Sequence, residues 1–309
     1  MTAGPSRPRA ILIAGPTASG KSGAALALAQ RLGGTVINGD SMQVYRELNV
    51  LTARPGPADV AAAPHRLYGT VPAREAYSVG RWLTDVAAAM AQSRHDERLP
   101  IVVGGTGLYF KAALEGLSPI PDVPAETREH WRAQSETLGA DGLHRELAAR
   151  DPVMAARLSP TDPQRVVRAL EVIEATSVSL AEWQETAGTP ILANDAVLKL
   201  VVAPEREPLY AAIDARFDCM VEGGAIDEVA ALMALNLDPA LPAMRAHGVR
   251  ELAAYTAGTM SLAEAATKTK TETRRYAKRQ MTWARRSMAD WVWVPDGRAA
   301  AAAAEQAFP

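Results

Sequence analysis

The sequence predicts an α/β protein, a parallel sheet wound by helices and interrupted by a helical insertion. Three observations carry that expectation. Residues 10–22, AILIAGPTASGKS, join an apolar run to a helix-forming one through the pattern G-x-x-x-x-G-K-[ST]. Two more β-rich runs, 35–38 and 100–103, end in Gly-containing turns, the rhythm of a doubly wound sheet. From about 119 to 189 the pattern is helical, with no convincing strand.

The first element is a short buried strand over 10–14, followed by the loop 15–22 and a helix over 24–32, rich in Ala and Leu. Gly15 and Gly20 let the loop curl so that backbone N–H groups form an anion nest at a helix N-terminus. Gly15, Pro16, Thr17, Ala18, Ser19, Gly20, Lys21 and Ser22 are therefore the expected diphosphate-binding residues. Lys21 reaches the outer phosphates, and the Ser22 hydroxyl is the expected protein ligand to Mg²⁺. The motif specifies a di- or triphosphate with Mg²⁺ and leaves the reaction open.

The second strand, 35–38, runs into Asp40, Ser41, Met42 and Gln43. Loops at the carboxyl ends of parallel strands line the ligand crevice, which places Asp40 and Ser41 near the phosphates. Asp40 with Gln43 also reads as a helix cap and its capping-box partner, and local sequence leaves the two roles even. Residues 66–71 form a candidate strand, and 78–94 a helix with Trp82, Val86 and Met90 on one core-facing side. The strand 100–103 ends in Gly104-Gly105-Thr106-Gly107, where Thr106 either contacts a ligand or caps the next helix. No acid follows that strand, which counts against a motor-type ATPase.

Pro119, Pro121 and Pro124 mark a linker. We therefore divide the chain at 1–118 and 196–309 for the core, with 119–195 as the insertion. Within the insertion, 162–173 reads as a capped helix, with Arg165 and Arg168 three residues apart on a face that is either merely solvated or turned to RNA. Strand character returns at 197–202, helices follow over 209–221 and 225–235, and 242–250 is a loop leading into a helix. Residues 268–286 hold eight Lys/Arg against the single acid Glu272. In a chain of net charge −2 this concentration favours a nucleic-acid surface over a solvated helix. Residues 299–304 are poly-Ala and read as a fraying helical tail.

The lone cysteine, Cys219, excludes an intramolecular disulfide and a cysteine-cluster metal site, and suits a reducing cytosol. No signal-peptide core or membrane-length apolar run is present. A cytoplasmic monomer without membrane contact is the expectation.

Six blocks in one order, GPTASGKS at 15–22, DSMQVYR at 40–46, VGGTGLY at 103–109, DPQRVVRALEV at 162–172, ARFDCMVEGGAIDEV at 215–229 and AKRQMTWAR at 277–285, make the chain resemble the bacterial tRNA dimethylallyltransferases over nearly its whole length. The resemblance implies a phosphate-loop kinase-like core, a helical insertion domain and a channel between them. Dimethylallyl diphosphate would enter from one end, and the flipped adenine beside the anticodon of a tRNA from the other. By motif, Asp40 resembles the general base, Arg216 the diphosphate-contacting arginine and Thr106 a channel residue near the reacting groups. Residues resembling tRNA contacts are Asp40, Ser41, Met42, Gln43, Thr106, Arg128, Gln164, Arg165, Val166, Val167, Arg168, Arg245, Arg250, Lys278 and Arg279. Four positions depart from the family pattern: Leu51 and Arg54 stand where Gly and Lys are common in Gly-Thr-Ala-Lys, Val249 where an aromatic is common, and Arg66 where a second His is usual. The alternatives are prenylation of a free adenylate, a small-molecule kinase on the same core, and a non-catalytic RNA-binding module. The helical insertion and basic helix oppose the first, DSMQVYR the second, and intact Gly20, Lys21 and Ser22 the third.

Overall fold

The structure, a computed structural model, describes residues 8–192 and 197–308. The expected junction at 195–196 and the segment 1–7 lie outside the described residues. Contacts divide the chain into two units, Glu115–Pro190 and the remainder.

The larger unit holds a six-stranded sheet. Its strands are β1 (Ala10–Ala14), β2 (Gly34–Asn38), β3 (His65–Arg66), β4 (Leu99–Gly104), β5 (Val197–Val202) and β6 (Val292–Val294). The order is β3-β2-β4-β1-β5-β6, and every pairing is parallel. The alternation of β1 places Ile11 and Ile13 on one face, with Ala25 and Leu28 of helix α1 (Lys21–Leu32). Leu12 and Ala14 lie on the other, with Trp82 of helix α3 (Val79–His95) and Phe110 of helix α4 (Gly107–Glu115). Both faces are covered, as a parallel sheet requires. Trp82 is fully buried and donates from Nε1 to the Asn38 carbonyl at 2.9 Å, the core role expected of it.

Register brings the site together. Ala14 lies opposite Gly104 and Val201, and Asn38 opposite Val103. The loops leaving β1, β2 and β4 therefore emerge side by side. At Gly104 a Cβ would meet the Gly39 carbonyl oxygen at 2.0 Å, so only glycine permits this backbone approach.

Some expected elements are revised. The extended run at 66–71 shrinks to β3, because Leu67 and Gly69 turn to positive φ (66° and 60°); Val71 keeps only an isolated bridge to Tyr45. The poly-Ala stretch is no fraying tail. It forms helix α13 (Gly297–Ala307), whose Ala300 and Ala304 are fully buried beside α1. Small side chains allow that close approach.

In the same unit, helix α2 (Pro57–Ala62) follows the Asp40 loop. Later come helices α9 (Arg206–Glu222), α10 (Ala225–Ala234), α11 (Val249–Thr256) and α12 (Leu262–Ser287). The unit Glu115–Pro190 is helical: α5 (Ala125–Arg150, broken by non-helical backbone at Gly139), α6 (Pro152–Arg157), α7 (Pro163–Thr176) and α8 (Leu180–Glu185). Trp131, Leu143, Leu147, Val166, Ala169 and Leu170 form its core.

Candidate active site

The phosphate loop is built as its residues dictate. Ala18 (φ 63°) and Gly20 (φ 85°) adopt left-handed backbone, the second cheap for glycine, and Ser19 N donates to the Pro16 carbonyl at 3.3 Å. Lys21, at the start of α1, is half-buried and donates from Nζ to the Pro16 carbonyl at 2.9 Å. Burial pulls its pKa down to about 8; the Arg216 guanidinium adds to the fall and the Asp40 carboxylate opposes it. Ser22 is exposed beside it, and Ser19 Oγ is buried with no partner among the described residues.

Thr17 is held from elsewhere. Gln280 of α12 accepts from Thr17 N at 3.1 Å and donates from Nε2 to the Gly105 carbonyl at 2.9 Å. One amide side chain thus ties the phosphate loop to the turn after β4. Thr17's amide is therefore engaged within the protein rather than aimed at an anion, while its hydroxyl accepts from Arg216 Nη1 at 3.4 Å.

Asp40 forms no helix cap. Asn38 Oδ1 accepts from Asp40 N at 2.8 Å, and Asp40 Oδ1 accepts from Met42 N at 2.9 Å, an Asx turn. Gln43 is not a capping-box partner either, since its Nε2 donates to the Thr52 and Ala53 carbonyls at 2.8 and 3.0 Å. Asp40 Oδ2 has no protein hydrogen bond among the described residues. Thr106 accepts from Ser41 N at 3.0 Å, so its hydroxyl locks the Asp40 loop to the β4–α4 turn.

These groups meet at a cavity of about 160 Å³. Asp40, Thr17 and Arg216 line it beside apolar Met42, Leu51, Ile213, Phe217 and Met220, with Arg245, His247 and Tyr276 completing the wall. Arg216 is half-buried, and its hydrogen bonds, 3.4 Å to Thr17 and 3.5 Å to the Thr52 carbonyl, are long. Burial lowers its pKa and Asp40 counteracts that. A guanidinium so loosely held has donors to spare for an anion. Tyr276 also lines a second cavity, with Gly15, Pro16, Thr106, Arg279, Gln280 and Trp283. Burial pushes its phenol pKa well above the usual range, so the hydroxyl stays neutral. His247 packs on Tyr276 with ring centroids 4.9 Å apart, and burial followed by Arg279 lowers its pKa, opposed by Glu251, Glu272 and Asp40.

The remaining expected RNA contacts divide by exposure. Arg245, Arg250, Lys278 and Arg279 are exposed. In α12, however, Arg274 pairs with Asp214 at 2.7 Å and Lys270 with Asp218 at 2.6 Å, so part of the basic run fastens α12 to α9. Lys268, Arg275, Lys278, Arg279, Arg285 and Arg286 carry the exposed charge. In the helical unit Arg128, Gln164 and Arg165 are exposed, and Arg165 pairs with Asp162. Arg168 pairs with Glu171. Val166 is fully buried, so its side chain cannot serve as a surface contact, while Val167 is half-buried against the same core. Val249 is likewise buried, and the position where the family commonly carries an aromatic faces the core. Leu51 fills space against Gly248, where a Cβ would meet its Cδ2 at 3.0 Å.

Sequence reasoning gave no role to Gln280, Tyr276 or His247. Gln280 and Tyr276 lie among the basic residues of α12, where charge masks them, and His247 carries no local signal.

A phosphate loop, a carboxylate and an arginine converging on an apolar-walled cavity have the make-up of a group-transfer site. Comparison with known proteins agrees. A family model described as IPP transferase matches residues 43–287, and one described as isopentenyl transferase matches residues 8–73. The chain is 55% identical over 296 residues to a tRNA dimethylallyltransferase of Rhodopseudomonas palustris (strain BisB18), covering 96% of this chain and 94% of the relative. It is 53% identical to one of Nitrobacter hamburgensis, with 92% and 90% covered. Among solved structures, a full-length tRNA isopentenylpyrophosphate transferase from Bacillus halodurans is 34% identical, with TM-score 0.66 and coverage of 94% and 90%. A eukaryotic dimethylallyltransferase captured acting on tRNA is 30% identical, with TM-score 0.72 and coverage of 89% and 69%. This chain belongs to the IPP transferase family, the tRNA dimethylallyltransferases.

Proposed function

We infer that the protein transfers a dimethylallyl group from dimethylallyl diphosphate to N6 of the adenine beside the anticodon of tRNA. The observation that carries this reading is Asp40 and Arg216 facing one apolar-lined cavity at the phosphate loop. A diphosphate needs the loop and the arginine, a prenyl chain needs the apolar wall, and a weakly nucleophilic amine needs a base.

In the reaction, N6 attacks C1 of the dimethylallyl group. The C1–O bond breaks, and diphosphate departs with the bonding pair. Asp40 Oδ2, without a hydrogen bond among the described residues, accepts the proton N6 must lose; such general-base assistance is worth about 10²–10⁴-fold. Lys21, Arg216 and the loop amides neutralise charge accumulating on the leaving group. Ser22 Oγ, exposed at the start of α1, is the protein oxygen that would hold Mg²⁺ beside the phosphate loop. Bound there, Mg²⁺ would supply further charge neutralisation. The exposed bases of α12 suit phosphate contacts, and the target adenine must leave its stack to reach a pocket. We further propose that the protein works as a monomer in the cytosol; no helix among the described residues is long and apolar enough to cross a membrane.

The test is incubation of unmodified tRNA with donor and Mg²⁺, followed by mass analysis of the nucleosides. Isopentenyladenosine next to the anticodon is expected. Prenylation of AMP in preference to tRNA, or no prenylated nucleoside, would overturn the reading.

A further inference from the structure

Glu228 lies in the first turn of α10, yet its carboxylate serves another segment. Oε2 accepts from Asn49 N at 2.6 Å and Val50 N at 2.7 Å, and Oε1 accepts from Leu51 N at 2.9 Å. Three consecutive amides thus converge on one side chain about 180 residues away, a backbone anion nest filled from within the protein. The carbonyls of the segment leading into that turn are capped by the opposite charge. Arg54 Nη1 donates to the Tyr45 and Arg46 carbonyls at 3.0 and 3.2 Å, and its Nε donates to Asn49 Oδ1 at 3.2 Å. Burial lowers the Arg54 pKa, and Glu228 is the first charge that opposes this.

The turn so clamped forms part of the reaction cavity. Leu51 and Thr52 line it together with Arg216. The Thr52 carbonyl accepts from Arg216 Nη2 at 3.5 Å and from Gln43 Nε2 at 2.8 Å. We propose that Glu228 is a positioning residue for prenyl transfer: by seizing the 49–51 amides it sets the Thr52 carbonyl, and through it the seat from which Arg216 meets the diphosphate. Glu228 touches neither substrate nor reacting atoms. Its charge is compensated by amide dipoles and Arg54, so it does not compete with the diphosphate for Arg216.

This proposal rests on the prenyl-transfer reading, and the test separates the two. Binding of inorganic diphosphate with Mg²⁺ is measured by calorimetry, alongside single-turnover prenyl transfer, for wild type, Glu228→Gln, Glu228→Ala, Arg216→Gln and the doubles. Glu228→Gln keeps the size and one acceptor while turning an NH₂ toward backbone amides, so it is the milder variant and keeps the test open should Glu228→Ala unfold. We expect diphosphate affinity to fall about tenfold in Glu228→Ala and about threefold in Glu228→Gln. In the Arg216→Gln background either change should cost less than twofold more, because the group being positioned is gone. Penalties that multiply in the double variants, or a Glu228→Gln protein indistinguishable from wild type, overturn the positioning role. Diphosphate binding that follows the coupled pattern while wild type prenylates no tRNA would overturn the functional reading alone.

Discussion

Replacing Asp40 by Asn separates the chemistry of this carboxylate from its structural duty. The duty is Oδ1 accepting from Met42 N at 2.9 Å, and an asparagine carbonyl performs it equally well. With Oδ1 so placed, the amide NH₂ stands where Oδ2 faces the cavity, and it cannot take a proton. Loss of a general base costs about 10²–10⁴-fold, or about 3–5 kcal/mol of transition-state stabilisation. Two effects should run in opposite directions. The chemical step slows by that factor, while diphosphate binds at least as tightly, because an anion has left a cavity it shares with Arg216. Asp40→Ala also loses the Met42 bond, which is worth about 1 kcal/mol, and should bind substrates less well than Asp40→Asn. The assay is single-turnover transfer with enzyme in excess, paired with equilibrium tRNA binding. A transfer rate for Asp40→Asn within threefold of wild type would refute Asp40 as the base.

Three further predictions follow from the same geometry. The Lys21 pKa near 8 means that its charge, and with it donor affinity, is present below that pH and lost as pH rises through it. KM for the donor should therefore climb above pH 8, and Lys21→Arg, which stays charged, should abolish the climb. Lys278→Ala and Arg285→Ala, at exposed positions of α12, should each lower the slope of log tRNA affinity against log salt by about one. Arg274→Ala should leave that slope unchanged and lower the melting temperature instead, because it strands Asp214. Val166→Ala, deep in the helical unit, should cost about 2 kcal/mol in a denaturant titration, while Gln164→Ala, two residues away and exposed, should stay within about 0.5 kcal/mol.

What the sequence made legible was whatever is written locally. The phosphate loop announces itself because glycine and lysine spacing is the chemistry. β1 and β4 announce themselves because strands buried on both faces read as continuous apolar runs, and β5 does so in its buried half, Leu200 to Val202. Features depending on a distant partner were hidden. β6 is three residues long and extended only because β5 pairs with it. Ala300 and Ala304 carry too little apolar surface to signal burial, although their smallness is what lets α13 approach α1. Asp40 offered equal evidence for cap and site, and the choice was made by the Asn38 and Met42 bonds closing an Asx turn where a helix would have begun. In α12 charge density was legible but its use was not, since Asp214 and Asp218, which consume part of it, lie over fifty residues earlier.

The helix that opens with Lys21 has α13 for a neighbour, and a Cβ on Gly297 would stand 2.6 Å from the Gly20 carbonyl oxygen. The anion cradle is thus finished by residues some 275 positions downstream of those that form it. Such wide sequence separation is costly in loop-closure entropy and slow to form. A chain cut before residue 297 would carry the whole motif and still lack the backing of its first helix, so the signature that is easiest to read in this sequence should be among the last parts of the molecule to become competent.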